Sequence, residues 1–183
     1  DVADHSKGET TMAEKIVLTG IARSKGKAAG EALVNSQRIG WAFNHVGNED
    51  GMVMAPGADT KGQIVTGKIF VYPTTAGSTS GAFSLYYKCK VSNHGPAGLI
   101  CQQVHWIDIN GAIAAEIPSV DKLDQDPLTA IRDGDWVEID APEVGQWNFD
   151  PYNRGAFGAA GPGAVPPRAL FPPDALTRTP RLK

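Results

Sequence analysis

No stretch of the chain approaches the roughly 20 consecutive apolar residues needed to cross a bilayer, and no basic segment followed by an apolar core and a small-residue cleavage site opens it. Neither a spanning helix nor a secretory leader is expected. Cysteine is scarce: Cys89 and Cys101 are the two, and they lack the short paired spacing of a zinc or cluster site. Both lie in apolar-rich segments and read as buried structural thiols. With no disulfide framework in prospect, a reducing cytoplasm is the expected compartment. Charge of one sign is also lacking. The formal net charge of −3 over 183 residues argues against nucleic-acid binding by the whole chain.

What is present is ordinary globular material, 42% hydrophobic and 20% charged, enough for one domain with tails. Residues 1–13 are polar and aperiodic and read as disordered or as an expression remnant. From Glu14 to Gly20 the apolar cluster EKIVLTG reads as a strand, and the glycine-punctuated RSKGKAAGEALV ends in a second, short one. From Ser36 to Thr60, glycine and proline interrupt every periodic run. An irregular stretch of this length is usually functional or covers something. GKIFVYP, Gly67 to Pro73, is the strongest strand signal. After it Ser78, Thr79 and Ser80 are good helix starters, Phe83, Tyr86 and Tyr87 recur at helical spacing as a core-packing stripe, and Lys88 and Lys90 suit a helix end. GLICQQV reads as a buried strand, DINGAIAAE as a short helix, IPSV as a brief strand, DPLTAIRDGD as a turn with helical character, and WVEIDA as an alternating strand. A strand–helix–strand–helix–strand unit beside an irregular β layer makes a compact mixed α/β domain, spanning residues 14–145.

Composition shifts after that. Residues 146–183 are dense in Gly and Pro, hold Phe149, Tyr152, Phe157, Leu170, Phe171 and Leu176, and from Pro151 onward set Arg154, Arg168, Arg178, Arg181 and Lys183 against Asp174 alone. An extended, basic tail with apolar anchors is expected to dock as a strap on an acidic partner surface.

The segment of interest for chemistry is Pro73 to Ser84, PTTAGSTSGAFS, although by its residues alone it reads first as a helix cap. A strand ends, Gly77 lets the backbone approach closely, and hydroxyl residues open a helix whose first amides are free and whose macrodipole is positive there. Such a place binds an anion, stabilises a serine alkoxide, or simply caps a helix. His45, His94 and His105 are far apart and read as structural. Glu49, Asp50 and Asp108 read as turn and helix-start residues. A nucleophile elbow and a P-loop are both missing.

The segment GKIFVYPTTAGSTSGAFSLYYKCKVSNHGPAGLICQQ resembles the core of the aconitase X small domain: a strand and proline, a Gly-Ser-Ser/Thr helix start at Gly77-Ser78-Thr79-Ser80, and a small-residue loop at Gly95-Pro96-Ala97. KGQIVTGK resembles the family's glycine-containing lead into that strand, and DGDWVEIDA its closing strand, so that the likeness runs from about Glu31 to Ala141. The resemblance implies a swivelling β/β/α domain like the mobile domain of aconitases, here with an extended Pro/Gly-rich C-terminal tail. It implies a hydro-lyase small subunit that dehydrates a small hydroxy acid. Ser78 would act as base, Gly77, Thr79 and Ser80 would bind substrate, and an iron–sulfur cluster or metal ion would be held by a large subunit rather than by this chain. The partner would be that large subunit, in a heterodimer or a higher assembly. Arg38, Gly40 and Trp41 stand where many members carry a Trp-Gly-Gly-type stretch, and Arg38 is a further substrate-binding candidate. Two substrates fit the family, cis-3-hydroxy-L-proline and mevalonate 5-phosphate. Composition without marked Lys/Glu enrichment points to the former, with a non-catalytic anion-binding module as the other class of function.

Overall fold

The computed structural model describes residues 16–42 and 44–142, together with the backbone of 176–179. The elements run in chain order as β1 (Ile16–Val17), β2 (Ile21–Ser24), β3 (Gly26–Val34), β4 (Ile69–Tyr72), α1 (Gly81–Lys90), β5 (Gly98–Cys101), α2 (Trp106–Ala115), β6 (Ser119–Asp121), α3 (Pro127–Ala130), β7 (Trp136–Ala141) and β8 (Leu176–Thr179). The sheet order is β1-β8-β7-β3-β4-β5-β6-β2. Strands β3, β4, β5 and β6 are parallel, and α1 and α2 make the crossovers between β4, β5 and β6. The mixed α/β expectation is met.

The nine residues of β3 belong to both halves of the sheet. Gly26 to Glu31 pair antiparallel with β7, and Ala32 to Val34 pair parallel with β4. The sequence suggests only a short strand here because glycines punctuate it. The structure shows why they are tolerated: a Cβ on Gly30 would lie 2.8 Å from the carbonyl oxygen of Gly67, so the glycine marks a close backbone approach inside a strand rather than its end. Between β2 and β3 stands a single residue, Lys25, yet β2 pairs with β6 at the far edge of the sheet. The sheet therefore curls back on itself.

Alternation along the strands sorts two cores. Ile69, Val71, Ile100, Val137 and Ile139 face the inside of the curl with Leu18 and Ala22. Phe70, Tyr72, Leu99 and Cys101 face the helix layer with Leu85 and Ala112. The irregular stretch after β3 joins that second core: Ile39, Trp41, Val46, Val53 and Ala55 are all buried in it. Its short bridges, Val46 with Val53 and Met52 with Ile64, give the covering layer that the sequence led one to expect.

The aromatic stripe on α1 is a correction. Phe83 is 67% exposed, Tyr86 and Tyr87 are half-buried, and the buried face carries Gly81, Leu85 and Lys88 instead. A lysine takes a core position because its Nζ donates to the carbonyl of Trp41 at 3.0 Å and to Asn48 Oδ1 at 2.7 Å. That satisfies most of a buried ammonium, although burial still lowers its pKa.

Of the tail, Leu176–Thr179 pairs antiparallel with both β1 and β7 of its own domain. The rest of the strap expectation, like that for residues 1–13, lies outside the described residues. None of the described helices is long and apolar enough to cross a membrane.

Candidate active site

Helices in parallel crossovers begin at the carboxyl ends of the strands they follow, so the loops after β3, β4 and β5 meet along one edge of the sheet. The first carries Arg38, the second Ser78, the third His105. Backbone bonding locks the first two together. Ile39 and Thr75 form a parallel bridge, the amide of Ala76 donates to the carbonyl of Ile39 at 3.0 Å, and Arg38 Nη2 donates to the carbonyl of Thr75 at 3.2 Å. The structure thus brings Arg38 to the Ser78 loop from 40 residues away in sequence.

The close approach expected at Gly77 occurs at Gly40. An added Cβ on Gly77 would sit at an ordinary 3.6 Å from Gly40 Cα, whereas one on Gly40 would stand 2.8 Å from the carbonyl oxygen of Ala76. The obstacle is backbone in the loop that carries Ser78, which cannot swing aside. Gly40→Ala is expected to lower turnover by on the order of 10²-fold through displacement of that loop while the complex stays assembled. Steady-state rates on purified complex check this.

Ser78 is half-buried, with Thr79 and Ser80 exposed beside it. Its Oγ lies 3.0 Å from Ser80 Oγ and 3.4 Å from the amide of Ser80. Ser80 occupies the N-cap position, yet its side chain makes no cap hydrogen bond. The Ser80 hydroxyl is therefore not consumed in capping. The first amide of α1, that of Gly81, donates to the Ser78 carbonyl at 2.9 Å, which leaves the amides of Ala82 and Phe83 as the free donors of the helix start. The arrangement supplies a hydroxyl with a second hydroxyl able to donate to it, at the positive end of a ten-residue helix.

A second helix starts alongside. Gly81 and Gly111 let α1 and α2 approach closely: a Cβ on Gly81 would lie 2.9 Å from Ile107 Cγ2, and one on Gly111 3.0 Å from the carbonyl oxygen of Ala82. His105 caps α2 by accepting from the amide of Ile107 at Nδ1, 3.3 Å. That bond leaves Nε2–H as a donor. Burial, and then the charge of Arg38, lower its pKa, which keeps the ring neutral at physiological pH. His105 and Arg38 are thus close enough to sense each other, a pairing that no sequence spacing announced. His45 serves the same loops structurally, accepting from the amide of Gly40 at 3.2 Å through Nδ1.

Beneath the site lies a buried carboxyl. Asp108 Oδ1 accepts from Trp41 Nε1 at 2.9 Å and Thr75 Oγ1 at 2.7 Å. Burial pushes its pKa up to about 6, against the lowering effect of those hydrogen bonds. Tyr72 Oη and Asp108 Oδ2 have no hydrogen-bond partner of good geometry. Asp108 does start a helix as expected, but on its buried side.

The chain's thiols do not fit a resident iron–sulfur cluster. Cys101 is fully buried and Cys89 partly so, neither is bonded to the other, and burial pushes the Cys89 pKa to about 11 and that of Cys101 well above its usual value. Cluster ligation requires thiolates. Among the described residues no group of three or more His, Cys, Asp or Glu stands ready to hold a metal ion.

Residues 17–146 match the sequence profile of the aconitase X swivel domain. The chain belongs to that family. It is similar to the phosphomevalonate dehydratase small subunit of Methanococcoides burtonii, 38% identical over 64% of this chain and 85% of that one. It is 33% identical to the corresponding subunit of Methanosarcina acetivorans over 70% of this chain and 88% of that one. The crystal structure of Thermococcus kodakaraensis aconitase X in its holo-form superposes with a TM-score of 0.63 at 33% identity, covering 69% of this chain and 92% of that one. The aconitase X chain described here is accordingly the small subunit of a hydro-lyase, and its curled mixed sheet is the swivel fold.

Proposed function

We propose that this small subunit completes, with a large subunit, a dehydratase for mevalonate 5-phosphate, and that Ser78 is its base. The observation that carries the reading is the meeting of Arg38, the α1 amides and the neutral His105 donor along one sheet edge. All are complementary to negative charge. The carboxyl of Asp108, which bonds Thr75 and Trp41 of these loops, is fully buried. A ligand with a carboxylate at one end and a phosphate at the other suits such a site better than a zwitterionic imino acid. The names of the relatives support the same substrate. Composition, which led to cis-3-hydroxy-L-proline, bears on working temperature and not on which anion a loop can hold.

In this reading Ser78 Oγ removes the proton from the carbon beside the substrate carboxylate. The electron pair of that C–H bond becomes the carbon–carbon double bond, and the hydroxyl on the next carbon leaves, so that water is the co-product. Serine is a weak base unless its alkoxide is stabilised. The Ser80 hydroxyl at 3.0 Å and the helix-start amides supply that stabilisation. A cluster or metal ion on the large subunit would supply the Lewis acid for the departing hydroxide. Arg38 and His105 Nε2–H hold the anionic ends. Phe83, exposed on the first turn of the helix that Ser78 opens, is the apolar surface we assign to the large subunit.

The test is a paired assay. Small and large subunits, purified separately and together, are offered mevalonate 5-phosphate and cis-3-hydroxy-L-proline. Turnover of the phosphorylated acid is expected from the pair alone. Robust turnover by the small chain by itself, or preference of the pair for hydroxyproline, overturns the reading. Binding of the acid by the small chain, with no turnover by any combination, returns the site to an anion-binding module.

A further inference from the structure

We propose that Asp108 is a positioning residue of this active site: its buried carboxyl, gripping Trp41 and Thr75, fixes the β3 and β4 loops in the register at which Arg38 and Ser78 meet the substrate. The inference rests on the assignment of Ser78 as base.

Asp108 stands on the first turn of α2 and is fully buried. Its two donors come from different loops. Trp41 follows Arg38 and Gly40 after β3, and Thr75 precedes Gly77 and Ser78 after β4. One oxygen therefore ties three segments at the sheet edge, and each of the three carries a residue of the site. Trp41 is itself fixed: its ring packs edge-on against Phe70 and Tyr72 at centroid distances of 5.8 and 6.1 Å, and its carbonyl accepts from Lys88 Nζ. Thr75 is 1% exposed and has a single hydroxyl hydrogen with two oxygens in reach, Asp108 Oδ1 at 2.7 Å and the carbonyl of Ile39 at 3.1 Å. When the carboxyl is ionised it can only accept, so Thr75 donates to it, and the Ile39 carbonyl keeps the amide of Ala76. When the carboxyl is protonated it becomes a donor, the threonine hydrogen turns to Ile39, and the charge-assisted grip on Thr75 is lost.

A carboxylate buried this deeply is an expensive way to hold a loop if only packing were at stake. The sign of the linkage agrees. The folded-state pKa is raised by burial to about 6, so the group's contribution to stability is present at low pH and is lost as pH rises through that value. At neutral pH the fold carries a destabilising charge in order to keep a strong acceptor beneath the Ser78 loop. The ionisable groups facing it are Tyr72 from β4 and Cys101 from β5, both driven towards their neutral forms by burial and by Asp108 itself, and His105 at the start of its own helix. Lys88, the buried cation of α1, is committed to Trp41 and Asn48.

The experiment compares Asp108→Ala, Asp108→Asn and Thr75→Val with wild type in the assembled two-subunit enzyme, measuring kcat against pH together with complex mass and melting temperature. Asp108→Ala and Thr75→Val are expected to lower kcat on the order of 10²-fold in intact complex. Asp108→Asn, which keeps an acceptor without a charge, is expected to run at the rate to which wild type falls at low pH, between the wild-type and Ala rates, and to melt no lower than wild type at neutral pH. It is also expected to lack the fall in kcat that is expected of wild type as pH drops through about 6. Wild-type rates from both Asp108→Ala and Thr75→Val would overturn the proposal, since the carboxyl would then be structural only. So would an Asn variant as slow as the Ala variant, since a charge acting on the reaction would then be responsible. If Asp108→Ala fails to assemble, the other two variants decide. Ser78→Ala is run in parallel: full activity there sinks the base assignment on its own, while the Asp108 variants still report whether the clamp sets the rate.

Discussion

Replacing Ser78 by alanine is expected to lower turnover of the assembled enzyme by about 10²–10⁴-fold, the range for loss of a group that transfers a proton in the transition state. The fold is expected to be unaffected. Among the described residues Ser78 Oγ hydrogen-bonds to Ser80, through its hydroxyl and amide, and the backbone bond from the amide of Gly81 to the Ser78 carbonyl survives the change. Ser80→Ala removes one donor to the alkoxide and is expected to cost about 10²-fold or somewhat more, as for one member of an oxyanion hole. Rates on purified complex, with circular dichroism and complex mass as controls, separate the alternatives. A crippled Ser80 variant beside a mild Ser78 variant would shift the base by two residues. Two mild variants would leave the helix start as a cap and remove the catalytic reading altogether.

The second large effect concerns stability. Arg23 Nε donates to Asp121 Oδ1 at 2.7 Å, with both side chains nearly inaccessible. Asp121 Oδ2 accepts from the amide of Val104 at 3.1 Å. The pair stitches β2 to β6 where the sheet closes its curl, and it also anchors the loop that delivers His105. Asp121→Ala strands the Arg23 guanidinium in the interior and leaves a buried amide without its acceptor, an expected loss of about 3–5 kcal/mol. Chemical denaturation of the isolated chain measures it. Replacing both partners with leucine should lose less than Asp121→Ala alone, because an apolar pair removes the stranded charge. A single Asp121→Ala change within about 1 kcal/mol of wild type would show that the guanidinium finds solvent and that the curl does not depend on the pair.

Why some of this could be read from the sequence and some could not follows from the range over which each signal acts. GKIFVYP and WVEIDA declare themselves because strand periodicity and β-branched content are local, and both became strands, Ile69–Tyr72 and Trp136–Ala141. DINGAIAAE likewise became helix, within Trp106–Ala115 except for its last residue, Glu116, which is the C-cap. The family resemblance carried the reading to Ser78. Spacing could tell that Phe83, Tyr86 and Tyr87 share a face of α1, but not which face turns inward. That was decided by partners for Lys88 at Trp41 and Asn48, 47 and 40 positions away. Asp108 looked like any acid at a helix start because its donors lie 67 and 33 positions away. No window of sequence holds the three together. The glycines of β3 misled for the opposite reason: a breaker signal is local, but the constraint it answered, the approach of Gly67 to Gly30, is not.

The order β1-β8-β7 places β1, among the described strands, against β8 alone. Ile16 pairs with Arg178, across nearly the full length of the chain. During synthesis the parallel unit from β3 to β6 can assemble from nearby partners, whereas β1 has no edge to join until β8 has emerged and been laid beside β7. Closing so long a loop is slow relative to the local contacts. The nascent domain therefore waits with an open β7 edge, the kind of edge that invites pairing with another chain. In this architecture the terminal strand acts last and acts as the seal.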